Sequence, residues 1–99
     1  MIIVPYTLAK IKIRDYAKWK HVFDDLSAVR KAYGAKKGFP FQEADSPNEV
    51  TVLIEWDNLE SAHKYYRSDE MTEKALQESG TKEIEIYFLN EVEHVQMCV

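Results

Sequence analysis

The sequence predicts an α+β fold of the ferredoxin-like type, with the order β-α-β-β-α-β. Two observations support this class. Two regions place apolar residues at spacings of three and four, which is the period of an amphipathic helix. Four segments alternate apolar and polar residues or are rich in strand-forming types. The chain has 99 residues, so we expect a single domain over residues 1–99, with a four-stranded antiparallel sheet and the helices on one face.

The first strand and the first helix are predicted within residues 2–34. Residues 2–13 are rich in Ile, Val, Tyr and Thr and alternate loosely. Asp15 then provides a carboxylate that can cap the free amides of a helix. Gly34 ends that helix, since glycine favours the left-handed conformation of a C-cap. One apolar stripe runs along the helix and consists of Tyr16, Trp19, Val22, Phe23, Leu26, Val29 and Tyr33.

Residues 38–56 predict two strands joined by a turn. The segment 38–44 contains Pro40, which lacks an amide hydrogen and therefore favours an edge strand or a bulge. Residues 45–48, with the sequence DSPN, predict the turn. Residues 49–56 alternate and are at least half apolar on both faces, which is typical of a central strand covered on two sides.

A second helical region and a fourth strand are predicted in the rest of the chain. Asp57 and Asn58 cap a helix. Ser68 restarts the helix, with acidic residues in the first turn and Gly80 at the end. Residues 83–95 alternate again and predict the fourth strand.

The sheet face opposite the helices is predicted to be apolar. It carries Leu8, Leu53, Tyr87 and Leu89, and monomers seldom expose such a patch. We therefore expect a homodimer that packs sheet against sheet.

Composition and charge exclude several classes of function. The formal net charge is −4, which disfavours nucleic-acid binding. No apolar run approaches the ~20 residues of a membrane span, so we expect a soluble, cytoplasmic protein with no membrane contact. Cys98 is the only cysteine; we expect an exposed, non-catalytic thiol. Histidine pairs at ligand spacing and glycine-rich cofactor motifs are both absent, so we expect no metal site and no cofactor.

Few residues are candidates for chemistry. Of three histidines that could act as general bases, His21 lies off the apolar stripe and His94 lies at the end of the last strand. His63 follows an inward-facing alanine and remains the candidate base. Arg30 lies on the flank of the first helix's stripe, where we expect a surface ion pair.

Four aromatic residues could line a pocket for a planar molecule or simply pack in the core: Trp19, Phe23, Tyr65 and Tyr66. Helical spacing favours core packing for the first two. The two tyrosines are adjacent and therefore about 100° apart on a helix. We expect one of the two hydroxyls to face solvent or a ligand.

Three stretches carry a family resemblance: DYAKWKHVFDD (residues 15–25), PNEVTVLIEWDNLESAHKYYRS (47–68) and EIEIYFLNEVE (83–93). They resemble small proteins of the dimeric α+β barrel superfamily, especially its antibiotic-biosynthesis-monooxygenase-like group, some of whose members are labelled cyclases. The resemblance covers nearly the whole chain and implies the fold and a homodimer. Relatives include cofactor-free quinone-forming monooxygenases, aromatic polyketide cyclases and haem-degrading enzymes, with the ligand between helices and sheet.

Two positions depart from the pattern of that group. Oxygenase members often have an aromatic residue three before a serine and a histidine seven after it. Tyr65 and Ser68 match, but the histidine position holds Ala75. Leu26 occupies another position at which many relatives have a histidine.

The resemblance implies a cofactor-free, homodimeric enzyme that oxidises or cyclises a small aromatic or polyketide-like molecule. Its catalytic candidates are His63 and Tyr65, and its ligand-binding candidates are Trp19, Phe23, Leu26 and Tyr66. The alternative is a non-catalytic homodimer that binds a metabolite or another protein.

Overall fold

The structure of the protein, a computed structural model, describes residues 4–92. The predictions for His94 and Cys98 lie outside these residues. In chain order the elements are β1 (Val4–Ile13), α1 (Tyr16–Asp25), α2 (Ser27–Tyr33), β2 (Ala35–Glu43), β3 (Ser46–Trp56), α3 (Leu59–Tyr66), a π-helix (Glu70–Glu78) and β4 (Thr81–Glu91). The strands form one antiparallel sheet in the order β2-β3-β1-β4. The helices cover one face, which confirms the predicted ferredoxin-like α+β class.

The predicted first helix is divided into two at Leu26. Asp15 caps α1 as predicted, because its carboxylate accepts a hydrogen bond from the amide of Ala17 at 2.9 Å. Leu26 has φ −89° and ψ 4°, outside helical geometry, while its side chain is buried in the core. Gly34 ends α2 with a φ of 122°, a conformation that glycine adopts without steric cost.

The turn between β2 and β3 comes earlier than predicted. It consists of Ala44 and Asp45, and Pro47 already belongs to β3. The pairing of the strands shifts near the turn, so that Glu43 faces Ser46. This shift lets the ladder begin directly after a two-residue turn. β2 is an edge strand of the sheet, as the proline at position 40 predicts.

The core lies between the sheet and the helices. Alternate residues of β3 point into it, as the sequence pattern predicts, and all four are buried: Val50, Val52, Ile54 and Trp56. The predicted second helical region is α-helical only in its first part. Its second part is a π-helix of nine residues, wider than the α-helix expected from the sequence. Ser68 joins the two parts, donating to the carbonyl of Tyr65 at 2.6 Å and accepting from the amide of Met71 at 3.2 Å.

The other face of the sheet carries the apolar residues predicted for it. Tyr87 and Leu89 are 42% and 41% exposed. Residues directly opposite one another form an apolar row across all four strands, and this row consists of Phe39, Leu53, Leu8 and Tyr87. None of the helices within residues 4–92 is long and apolar enough to cross a bilayer.

Candidate functional site

A cavity of about 40 Å³ lies between the helices and the sheet. Strands β1, β3 and β4 form its floor, and α1, α2, α3 and the π-helix form its walls. Most of the lining is aliphatic or aromatic. The side chains with nitrogen or oxygen atoms are Trp19, Arg30, Tyr65, Tyr66, Ser79 and Thr81.

The cavity brings together five of the six residues named as site candidates from the sequence, namely Trp19, Phe23, Leu26, Tyr65 and Tyr66. Trp19 and Phe23 stack with their ring centroids 5.0 Å apart. The sixth candidate, His63, is not part of the cavity wall. Its side chain is exposed, and its ring stacks on Phe88 with 3.8 Å between centroids.

Both adjacent tyrosines pack against the core and line the cavity. That one of the two hydroxyls faces solvent or a ligand stays a prediction. Tyr65 is 2% exposed, and Tyr66 is partly buried against the core. Trp56 lies near both rings, with centroid distances of 5.6 Å to Tyr65 and 6.2 Å to Tyr66. Tyr65 and Tyr66 are about 100° apart on α3. The Trp56 side chain is large enough to pack against both of them.

The hydroxyl of Tyr66 belongs to a hydrogen-bonded group around Thr7, which is fully buried. The indole Nε1 of Trp56 donates to Thr7 Oγ1 at 2.9 Å, and the Tyr66 hydroxyl lies 3.2 Å from the same oxygen. Burial raises the pKa of Tyr66 to about 12, and the hydrogen bond to Thr7 acts in the opposite direction. Tyr66 is therefore protonated near neutral pH.

Burial also raises the pKa of Tyr65, and the nearby Arg30 guanidinium offsets part of this effect by favouring the phenolate. Because the net shift is upward, Tyr65 too keeps its proton near neutral pH. The two cavity tyrosines are thus hydrogen-bond and proton donors rather than bases.

Arg30 does not make the surface ion pair expected from the sequence. Its side chain is 8% exposed, and no carboxylate of residues 4–92 forms an ion pair with it. Nη2 donates to the carbonyl of Phe23 at 2.7 Å, and the guanidinium lies 3.9 Å from the centroid of the Phe23 ring. That carbonyl is in the last turn of α1, where backbone oxygens lack helical partners. The break at Leu26 therefore creates the acceptor that draws Arg30 inward.

A sequence signal for Arg30 did exist. Arg30 follows Leu26 by four residues, which is the spacing that separates Trp19 from Phe23. Arginine can lie on an apolar stripe because its aliphatic stem packs against apolar side chains.

The two positions that lack a histidine of the related oxygenases both line the cavity, as Leu26 and Ala75. No histidine, aspartate or glutamate of residues 4–92 lines it. Within the same range, no cluster of three or more His, Cys, Asp and Glu side chains could hold a metal ion. Among the described residues, the polar groups of the wall are therefore one guanidinium, four hydroxyls and the indole N–H of Trp19.

A ferredoxin-like sheet with a cavity beneath its helices defines a class of small α+β proteins, and several known structures share this fold. SnoaB, a cofactor-independent oxygenase from Streptomyces nogalater, superposes with a TM-score of 0.76 at 12% identity, covering 98% of this chain and 100% of SnoaB. A candidate antibiotic biosynthesis monooxygenase from Deinococcus radiodurans gives a TM-score of 0.67 at 15% identity, covering 96% and 99% of the two chains.

A conserved protein from Methanosarcina mazei Go1 matches with a TM-score of 0.68 at 22% identity, covering 88% of this chain and 91% of that one. No family description and no curated protein matches the sequence itself. The chain has the fold of antibiotic-biosynthesis-monooxygenase-like proteins, which confirms, at the level of the fold, the resemblance seen in the sequence.

Proposed function

We propose that the protein binds a small aromatic or polyketide-like molecule in the cavity and oxidises or cyclises it without a cofactor. The observation that carries this proposal is the presence of two tyrosine hydroxyl donors in the wall of an otherwise largely apolar, internal cavity. Sites of this composition are typical of small-molecule binding. SnoaB, which has the same fold, is a cofactor-independent oxygenase.

The cavity must widen to admit an aromatic ring. A volume of about 40 Å³ suffices for a few water molecules, whereas benzene fills a cavity of roughly 150 Å³. The π-helix is the wall best able to move, because π-helical hydrogen bonding is uncommon and is found mostly as local bulges at functional sites. It contributes Met71, Ala75 and Leu76 to the lining, and Ser79 follows directly at its C-terminal end. Methionine adapts readily to new shapes.

The chemistry that the wall supports is stabilisation of a developing oxygen anion. A protonated tyrosine can donate to an enolate or phenolate oxygen, which lowers the barrier to forming that anion. We assign this role to Tyr65, with Tyr66 as a second donor. In a cyclisation, the enolate carbon attacks a carbonyl carbon, and the resulting alkoxide takes the tyrosine proton. In an oxidation, the substrate carbanion and dioxygen combine and take up a proton to form a hydroperoxide; its O–O bond then breaks as water leaves, and the substrate methylene becomes a carbonyl.

We also propose that two copies associate through their open sheet faces. The apolar row across the four strands supports this arrangement, since single exposed apolar residues are common but contiguous ones mark interfaces. Leu89 extends the patch along β4.

A second candidate function is favoured by one observation, the lack of a base in the cavity wall formed by residues 4–92. In this alternative the protein is a non-catalytic homodimer that binds a metabolite or another protein. It uses the same cavity or the same surfaces without turnover.

Native mass spectrometry of the freshly purified protein tests binding directly. A dimer that carries a small-molecule adduct supports the proposal and identifies the ligand. Oxygen uptake is then measured with a panel of anthrones and hydroquinones as probes. Tyr65→Phe is expected to lose most of its turnover while its melting temperature stays close to that of the parent.

Two further variants make the test specific. Tyr33→Phe is the matched control, because Tyr33 contacts the Tyr65 ring at 5.7 Å but does not line the cavity. His63→Ala tests the base predicted from the sequence; retained turnover would assign the chemistry to the cavity wall alone. A bound adduct without turnover of any probe would favour the non-catalytic alternative.

A further inference from the structure

A groove of about 340 Å³ adjoins the cavity at the surface, between α2 and the beginning of β2. The groove and the cavity share three lining residues, Phe23, Arg30 and Ile54. Arg30 therefore stands at the junction between an apolar interior and a solvent-filled surface groove.

The groove is basic, although the chain as a whole has a formal net charge of −4. Among residues 4–92, Asp24 is the only acidic residue that lines the groove. Its carboxylate already forms an ion pair with the Lys20 ammonium, at 2.6 Å. None of its cations forms an ion pair with a carboxylate of that range. These cations are Arg30, Lys31, Lys36 and Lys37. Unpaired charges of one sign that line a concave surface attract counter-ions from solution.

The Arg30 guanidinium has donor capacity left for a ligand. It bonds the Phe23 carbonyl and interacts with the Tyr65 hydroxyl. No side-chain nitrogen or oxygen of residues 4–92 is both buried and without a hydrogen-bond partner. Any guanidinium nitrogen of Arg30 that has no protein partner is therefore not fully buried. A guanidinium presents its N–H groups as a planar fork that matches a carboxylate or a phosphate.

We propose that the ligand of the cavity is an amphiphilic anion, with an aromatic part inside the cavity and a carboxylate or phosphate group on Arg30 in the groove. The proposal rests on the proposed function, since the cavity must first admit the ring. The aromatic part continues a stack in which the guanidinium lies on Phe23 and Phe23 lies on Trp19. Lys36 and Lys37 add longer-range attraction for the charged group.

Three naphthalene probes test this inference: 2-naphthoate, 2-naphthyl phosphate and the neutral 2-naphthamide. Their binding to the full chain is measured by titration calorimetry at low and at high salt. We expect one or both anions to bind about tenfold more tightly than the amide, because charge-assisted hydrogen bonds are the stronger kind. This preference is expected to shrink at high salt, since part of it is long-range attraction. The tighter of the two anions identifies the charged group.

Arg30→Gln removes the charge but keeps a hydrogen-bonding side chain. We expect the ratio of anion to amide affinity to fall to about one, because the anions lose more affinity than the amide. Arg67→Gln is the matched control, because Arg67 also donates to a helix carbonyl, that of His63 at 3.2 Å, but lines neither cavity nor groove. If Arg30→Gln does not fold, the pair Lys36→Gln and Lys37→Gln on the exposed edge strand carries the test, with an expected several-fold loss of anion affinity.

The outcomes separate this inference from the function on which it rests. Equal affinity for all three probes overturns the anion preference and leaves the cavity as an aromatic site. Failure of every probe to bind overturns both proposals. An anion preference that survives Arg30→Gln overturns the role of Arg30.

Discussion

The hydroxyl of Thr7 links β1 to both β3 and α3, and its removal is expected to destabilise the fold. Thr7 Oγ1 accepts the indole N–H of Trp56 at 2.9 Å and lies 3.2 Å from the hydroxyl of Tyr66. Thr7→Val keeps the branched shape that strands favour and replaces the hydroxyl by a methyl group. The substitution therefore isolates the hydrogen bonds from the packing.

The size of the effect follows from what each partner loses. The Trp56 N–H is left without an acceptor in a buried position, which costs about 1–3 kcal/mol. Tyr66 loses one hydrogen bond but borders the cavity, where water can replace it. We therefore expect the free energy of unfolding to fall by about 2 kcal/mol. In a domain of this size, that corresponds to a drop in melting temperature of roughly 8–16 °C.

Chemical denaturation followed by tryptophan fluorescence, together with calorimetry, measures both quantities. Thr51→Val is the matched control, since Thr51 lies on the opposite face of the neighbouring strand and makes no side-chain hydrogen bond to residues 4–92. Its effect is expected to stay within about 0.5 kcal/mol. The double variant Thr7→Val with Tyr66→Phe should lose less than the sum of the single variants. Equal stability of Thr7→Val and Thr51→Val would refute the hydrogen-bonding argument.

Three other perturbations have defined outcomes. Gly34→Ala should lower the free energy of unfolding by at least about 1–2 kcal/mol, because φ is +122° and the added carbon would lie 2.5 Å from a carboxylate oxygen of Asp57. Gly38→Ala is the control and should be as stable as the parent, since its added carbon has no atom within 4 Å. The pKa of Tyr66, raised from 10 to about 12, makes the folded state hold a proton that the unfolded state loses. The free energy of unfolding should therefore fall by up to roughly 3 kcal/mol as pH rises from 10 to 12. Tyr66→Phe should make this fall smaller, and an equally large fall in the variant would contradict the assignment. Leu53→Glu in the apolar row should give a monomer by light scattering, while Lys18→Glu on α1 should not; a Leu53→Glu dimer would place the interface elsewhere.

The parts of the fold that sequence could predict are those fixed by local periodicity and local hydrogen bonding. The alternation in β3 depends only on which side chains must leave water, so it follows from the order of residues. Asp15 caps α1 through amides two and three residues away. Gly34 stops α2 because of its own backbone freedom. Each of these effects acts within a few residues and needs no knowledge of the tertiary structure.

The π-helix and the position of Arg30 required more than periodicity. Met71, Ala75 and Ser79 repeat every four residues, a spacing compatible with either an α-helix or a wider helix, so the pattern could not separate them. Arg30 turns inward because a break in the helix at Leu26 leaves the Phe23 carbonyl near its guanidinium. Charge alone predicted an exposed side chain at that position.

The polar side chains of the cavity wall also constrain the kind of chemistry that this fold can support here. Leu26 and Ala75 leave the described wall without a histidine, and the raised pKa values of Tyr65 and Tyr66 keep both hydroxyls protonated near neutral pH. Such a wall can stabilise an anion but cannot remove a proton from carbon. The substrate must therefore be acidic enough to ionise without a base from the wall. The pH profile of any turnover should therefore move with the pKa of the substrate when substituted hydroquinones are compared. A profile fixed at one pH for all of them would instead require a titrating protein base.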